Sequence, residues 1–188
     1  MVSLLLIGSG AREVAIARKI KESSSSTLLY CVASTTNPQI KNLSELYFEQ
    51  SPSEISSVLE SIQNLAIDLA IIGPENPLEA GLVDALEKVG IPCVGPKKGV
   101  AKIETSKAFA RNILDHCSPE MNPERKEFFS IDGVEDFLQH LDGEYVIKYD
   151  GLMGGKGVKI SGEHLHSIEE SLAYASSCLL YTSDAADE

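Results

Sequence analysis

No run of basic residues, no closely spaced cysteine pair and no long apolar stretch occurs in this chain of 188 residues. The first absence, with a formal net charge of −12, argues against a nucleic-acid surface or a patch for anionic membranes. A small anionic substrate stays compatible, because a local site can be positive on an acidic protein. No segment approaches the roughly 18 apolar residues of a membrane-spanning helix. The N-terminus, Met1-Val2-Ser3-Leu4-Leu5-Leu6-Ile7-Gly8, has no basic leader and runs straight into a glycine turn. It reads as a buried first strand and not as a signal peptide. Cys31, Cys93, Cys117 and Cys178 stand far apart, with no CxxC pair and no histidine cluster nearby. That spacing argues against a metal site or a disulfide framework, and reduced thiols in a cytoplasmic protein are the expectation.

What is present is ordinary for a globular chain: 43% apolar and 23% charged residues. The length allows one large domain or two small ones. Over the first hundred residues, apolar runs alternate with helical periodicity. Strands are expected at 2–7, 28–33, 46–48, 67–72 and 91–94, and helices at 11–22, 53–64 and 78–89, the last closed by Gly90. Asn37-Pro38 marks a turn. Single helices between strands imply right-handed βαβ units and a parallel sheet, an α/β fold. The rhythm then changes. Helices are expected at 106–116, 134–140 and 167–177, a strand at 126–130, and a hairpin from 145–148 and 158–161. A domain boundary is placed near Glu104.

Three turns carry the chemistry. Gly8-Ser9-Gly10-Ala11-Arg12-Glu13 joins the first strand to the first helix. Free N–H groups and the positive dipole end there suit a phosphate. A dinucleotide site would want a third glycine where Glu13 stands, and an acid after the second strand, where the chain has Ala33-Ser34-Thr35-Thr36. Both absences count against NAD. A plain βα turn and a phosphate-bearing substrate both stay open. Gly73-Pro74-Glu75-Asn76-Pro77 follows another strand. Its Glu75 could accept hydrogen bonds from a sugar hydroxyl or an amine, or simply favour the helix start. The third turn, Lys148-Tyr149-Asp150-Gly151-Leu152-Met153-Gly154-Gly155-Lys156-Gly157, is not a Walker A loop. That pattern needs glycine where Asp150 stands and Ser or Thr where Gly157 stands. A glycine-rich hairpin with Lys148 and Lys156 can still fold over a triphosphate; simple turn chemistry is the alternative.

In this order, the three turns resemble the phosphoribosylamine–glycine ligase family, also called glycinamide ribonucleotide synthetases, from Met1 to about Ser177. The first resembles the family's GxGxRE segment. Gly73 to Gly81 resembles GPExPLxxG. Gly95-Pro96 followed by Ser106-Lys107-Ala108-Phe109 resembles GP…SKxF, and Lys148 to Val158 resembles K-x-DGLxxGKGV. Tyr149, Met153 and Gly154, with Gly162-Glu163-His164-Leu165, lean toward the archaeal branch. Two departures stand out: Ala11 replaces the usual glycine and Val14 the usual histidine. They put details of substrate contact in doubt, not the reaction.

The resemblance implies a Rossmann-like parallel-sheet substrate-binding domain over 1–104, then the first α+β part of an ATP-grasp domain over 105–177. It implies that ATP phosphorylates the glycine carboxylate. The amine of 5-phosphoribosylamine then attacks the acyl phosphate, giving glycinamide ribonucleotide, ADP and phosphate in purine biosynthesis. Gly8, Ser9, Gly10, Arg12, Glu13, Gly73, Pro74, Glu75 and Pro77 would hold phosphoribosylamine. Lys107, Lys148, Asp150, Gly151, Gly154, Gly155, Lys156 and Gly157 would hold ATP. Mg²⁺ or Mn²⁺ is implied, with ligands expected beyond this chain, so no metal ligand or catalytic residue is assigned and the chain alone is expected to be inactive. No nucleic-acid or membrane partner is implied. Residues 178–188 read as a foreign tail, resembling an in-frame translation of a transposase-end sequencing adapter; a natural frayed C-terminus is the alternative. The rival readings are another ATP-grasp carboxylate–amine ligase, a biotin carboxylase-like enzyme, or a non-catalytic nucleotide-binding module.

Overall fold

A computed structural model describes residues 1–23 and 26–184, with side chains to residue 180. The chain divides into two compact units, Met1–Glu104 and Thr105–Glu188.

The first unit opens with β1 (Val2–Ile7), α1 (Ala11–Lys21), β2 (Thr27–Ala33), α2 (Pro38–Leu43), β3 (Leu46–Glu49) and α3 (Ile55–Ile62). It continues through β4 (Leu69–Ile72), α4 (Glu75–Ala80), α5 (Leu82–Lys88), β5 (Cys93–Val94) and α6 (Lys98–Thr105). The five strands form one sheet in the order β3-β2-β1-β4-β5, every pairing parallel. Side chains alternate across a strand, and β1 shows the result. Leu5 and Ile7 pack on one face with Val58, Ile62, Leu82 and Leu86 of α3 and α5. Leu6 packs on the other face with Ala17 of α1 and Ile40 of α2. Both faces are therefore apolar, which is why β1 and β2 read as unbroken hydrophobic runs. The chain winds one way from β1 to β3 and the other way through β4 and β5. The switch point lies between the C-terminal ends of β1 and β4, where open α/β sheets bind ligands.

The second unit holds α7 (Lys107–Cys117), a 3-10 turn (Pro119–Met121), α8 (Val134–His140), β6 (Val146–Lys148), β7 (Val158–Ile160) and α9 (Ile168–Asp184). β6 and β7 pair antiparallel. Val134, Leu138, Tyr145 and Ala175 form a small core. A buried hydrogen bond of 2.8 Å joins the hydroxyls of Tyr145 and Ser171.

The elements depart from expectation in five places. The helix expected at 78–89 begins earlier, at Glu75, and breaks at Gly81, whose φ of 97° is left-handed. Two helices had no sequence signal. One is α2, whose six residues are too few for periodicity and which Asn37 caps by accepting from the Gln39 N–H at 3.0 Å. The other is α6. Residues 126–130 pair with no strand among the described residues. Lys126 instead sets its ammonium 5.0 Å from the ring centre of Phe128 and 5.9 Å from that of Phe137, so side-chain packing replaces a ladder. Finally, α9 runs through Ser177 to Asp184, into the segment read as a foreign tail. Residues 185–188 of that segment lie outside the described residues.

Candidate functional site

The first turn is shaped by what cannot fit there. Gly8 leaves β1 at a φ of 113°, a region open in practice to glycine. A Cβ on it would stand 2.9 Å from Pro74 Cδ and 3.0 Å from Glu13 Cγ. The β1 and β4 turns therefore touch, and Gly73 N–H donates to the Ile7 carbonyl at 3.1 Å. The structure brings together residues expected to act together: Gly8, Ser9, Gly10, Arg12 and Glu13 from one turn, and Gly73, Pro74, Glu75 and Pro77 from the other. Arg12 Nη2 lies 3.0 Å from Glu75 Oε1. Pro77 is buried and shapes the turn from within.

Glu13 departs from its expected place. Only 4% exposed, it faces the protein and not an incoming substrate. Its Oε2 accepts from the Gly10 N–H at 2.6 Å. The Gly10 amide is thus already committed. An anion at this helix start must use the next free N–H groups, those of Ala11 and Arg12.

A polar network that sequence reading missed extends this edge. Ser9 Oγ lies 3.1 Å from Thr35 Oγ1. Asn37 Nδ2 donates to the Ser9 carbonyl at 2.8 Å, and the Tyr47 hydroxyl donates to the Thr35 carbonyl at 2.7 Å. Thr36 Oγ1 also donates to Glu49 Oε2. The segment 33–36 lacks an acid of its own, but β3 pairs beside β2 and carries Glu49 to this edge. Behind the turn, burial pushes the Cys31 thiol up to about 12, so it stays protonated and offers no nucleophile.

Glu75 is held below the usual carboxylate range, chiefly by its own backbone N–H at the start of α4 and then by Arg12. Asp115, in the second unit, is held low by Arg125 first and then by Asn122. A depressed folded value stabilises above the ordinary carboxylate range and is lost as pH falls through that lower value. Urea midpoints taken down an acid series should therefore drop more steeply in wild type than in Glu75→Gln. Parallel curves would remove the role given to this pair.

The third turn is tied at one end. Asp150 accepts from Ser106 Oγ at 2.9 Å and from the Ala108 N–H at 3.1 Å. Lys107 Nζ donates to the Gly151 carbonyl at 2.9 Å. Asp150 and Lys107, expected as nucleotide contacts, here bind the glycine loop to the start of α7. The tie follows from Ser106 as N-cap of α7, which accepts from the Phe109 N–H at 3.0 Å. The Tyr149 N–H donates to the Gly157 carbonyl at 2.8 Å and extends the ladder. Beyond it, Gly154 and Gly155 have φ values of 54° and 81° with no atom near their Cβ positions. Lys148 and Lys156 are exposed at the two ends of this loop. Asp150→Ala should speed amide exchange in 149–157 and the first turn of α7, with α8 unchanged. Equal protection in both proteins would refute the tie.

No group of three or more His, Cys, Asp or Glu side chains is placed to hold a metal ion among the described residues. None of the described helices is long and apolar enough to cross a membrane. A cleft of about 460 Å³ beside Asp115, Asn122 and Arg125 is lined by no residue of the third turn, and the Arg125 fork is already spent on Asp115 and Glu127.

The family model of the phosphoribosylglycinamide synthetase N domain matches residues 2–104. The chain belongs to this family. A phosphoribosylamine–glycine ligase of Methanosarcina barkeri is 42% identical over 178 residues, covering 95% of this chain and 41% of the relative. The corresponding ligase of Methanobrevibacter smithii is 42% identical over 174 residues, covering 93% and 39%. The chain thus spans about two fifths of the length of the curated relatives it matches. Among solved structures, the phosphoribosylamine–glycine ligase of Thermotoga maritima has a TM-score of 0.65 at 23% identity, covering 92% of this chain and 38% of that one. An ADP complex of N5-carboxyaminoimidazole synthetase from Staphylococcus aureus has a TM-score of 0.72 at 11% identity, covering 94% and 45%. These two likenesses concern the fold. In this synthetase-family chain, the GxGxRE and GPExPLxxG segments are the two turns that meet at the switch point.

Proposed function

We propose that a protein carrying this chain ligates glycine to 5-phosphoribosylamine at the expense of ATP. The observation that carries the reading is the convergence of the Gly8–Glu13 and Gly73–Pro77 turns at one switch point, in a chain of the phosphoribosylglycinamide synthetase family. The N–H groups of Ala11 and Arg12, with the Arg12 guanidinium, supply positive charge for the ribose phosphate. Glu75, kept ionised, accepts from the ribosyl amine or a sugar hydroxyl and orients it. In the second unit, Lys148 and Lys156 place charge beside a loop whose backbone can approach phosphates closely. The S. aureus relative in fold is an ADP complex, which supports nucleotide binding by a protein of this fold.

The chemistry follows from the two substrates. A carboxylate oxygen of glycine attacks the γ-phosphorus and ADP leaves. The ribosyl amine attacks the resulting acyl phosphate, inorganic phosphate leaves, and the amine nitrogen loses a proton. Positioning and charge stabilisation carry most of the rate. Among the described residues no group of His, Cys, Asp or Glu assembles a metal site, and the ligands for Mg²⁺ or Mn²⁺ are expected in the part of the relatives' length that this chain does not span.

The test uses a protein of the relatives' full length that contains this sequence. It is given glycine, ATP, Mg²⁺ and 5-phosphoribosylamine generated in place. Equal amounts of ADP, phosphate and glycinamide ribonucleotide are expected. ADP release that requires bicarbonate instead of glycine would transfer the chain to a carboxylase.

A further inference from the structure

Two adjacent residues of α1 reach the β4 turn by different routes. Arg12 does so in the open, through Glu75. Glu13 does so from inside, and its surroundings are unusual. It is buried at 4% exposure. A Cβ on Gly10 would lie 2.8 Å from its Oε2, and one on Gly73 would lie 2.0 Å from its Oε1 and 2.7 Å from Cδ. A Cβ on Gly8 would lie 3.0 Å from its Cγ. Three glycines thus line the carboxylate on its three sides. One oxygen is satisfied by the Gly10 N–H, while Oε1 is buried without a hydrogen-bond partner among the described residues.

A buried polar atom left unpaired is costly, so its retention calls for a role. Helix capping alone does not supply one. Accepting from the Gly10 N–H needs a single oxygen, and it does not need glycine at position 73. What the second oxygen does is fill the gap between the turns. It lies against Gly73, the residue that follows β4 and precedes Pro74 and Glu75. Glu13 therefore lies between the turn carrying Arg12 and the turn carrying Glu75.

We infer that Glu13 is a positioning residue: wedged between the β1 and β4 turns, it holds Arg12 and Glu75 in the geometry that receives a phosphorylated sugar amine. The inference deepens the proposed function and rests on it for the ligand. The Arg12–Glu75 geometry can be tested without any ligand.

The experiment uses this chain as it stands, with Glu13→Ala, Glu13→Gln and Glu13→Asp variants. The first readout is the titration midpoint of Glu75, followed by carbon NMR of its carboxyl group. The midpoint should rise toward the ordinary carboxylate value in Glu13→Ala, where the spacer is gone. It should stay near wild type in Glu13→Gln, which keeps the shape and still accepts from Gly10. Should Glu13→Ala fail to fold, Glu13→Asp withdraws the carboxylate by one methylene and must give the same rise. A merely structural residue would alter unfolding midpoints in all three without separating them in this way. An unchanged Glu75 midpoint in folded Glu13→Ala and Glu13→Asp would overturn the inference. So would a rise in Glu13→Gln equal to that in Glu13→Ala, because a side chain of the same shape would then fail to hold the geometry; loss of the Glu13 charge by itself would lower the Glu75 midpoint and not raise it. The second readout is calorimetric binding of ribose 5-phosphate, expected to weaken at least ~10-fold in Glu13→Ala and by less than ~3-fold in Glu13→Gln. Wild type that ignores ribose 5-phosphate would count against the proposed ligand while the Glu75 titration still decides the role of Glu13.

Discussion

Gly8→Val is expected to lower the unfolding midpoint of the first unit by more than ~10 °C. Two separate costs meet at this position. The backbone φ of 113° is a region side chains rarely adopt, at about 1–3 kcal/mol. The added Cβ would stand 2.9 Å from Pro74 Cδ and 3.0 Å from Glu13 Cγ. Neither neighbour can give way: one is a ring in a turn and the other a buried carboxylate. Overpacking of this kind costs about 1–3 kcal/mol more. A domain's whole stability is roughly 5–15 kcal/mol, and each kcal/mol moves the midpoint of a unit this size by about 4–8 °C. Gly90→Ala separates the two costs. Gly90 has a φ of 85° with nothing within 4 Å of its Cβ position, so that variant suffers strain alone and should lose less. Equal losses in the two variants would mean that the β1 and β4 turns do not touch as described.

Lys148→Ala, placed in a full-length protein containing this sequence, should weaken nucleotide affinity by about 10- to 100-fold. This expectation rests on the proposed role of the glycine loop. Lys148 ends β6, pairs across the hairpin with Val158 and is exposed beside the loop. A charge-assisted hydrogen bond to phosphate is worth about 1.5–3 kcal/mol, and each 1.4 kcal/mol is about tenfold. Lys159 is the control. It sits on the same hairpin, but its ammonium lies 4.7 Å from the ring centre of Tyr174. Lys159→Ala removes the same charge from the chain and should leave affinity nearly unchanged. Equal weakening by both would reduce the effect to net charge. No weakening by either would remove Lys148 from the nucleotide site.

Much of the first unit was legible in the residues because both faces of its sheet are covered. Burial on two sides forces continuous apolar strands such as Leu4-Leu5-Leu6-Ile7, and single-sided helices such as α3 show a clean amphipathic stripe. The second unit was harder to read. Its core is small, and no residue of α7 is buried, so periodicity had less to act on. Lys126 to Ser130 looked extended and apolar enough for a strand, yet the stacking of Lys126 with Phe128 and Phe137 took the place of pairing. The short helix at Pro38 and the break at Gly81 were decided by one capping side chain and one left-handed glycine, signals too local for a periodic pattern.

The candidate site divides in the same way. The residue types and their order along the chain, Gly8 to Glu13, Gly73 to Pro77 and Lys148 to Gly157, were written in the sequence and were enough to point to the family. The α/β class was written there too, because alternating apolar runs and helical periods depend only on neighbours along the chain. Which side chain stays exposed and which is buried was decided only by the tertiary structure. Arg12, Glu13 and Glu75 are all charged turn residues in sequence. The meeting of β1 and β4 makes Arg12 and Glu75 an exposed pair and turns Glu13 inward against three glycines. Lys107 and Asp150, 43 residues apart, became a tie between a helix start and a glycine loop in the same fashion. The physical reason is that burial and partnership are set by what the chain brings from a distance. A carboxylate's neighbours across a switch point leave no trace in the residues beside it.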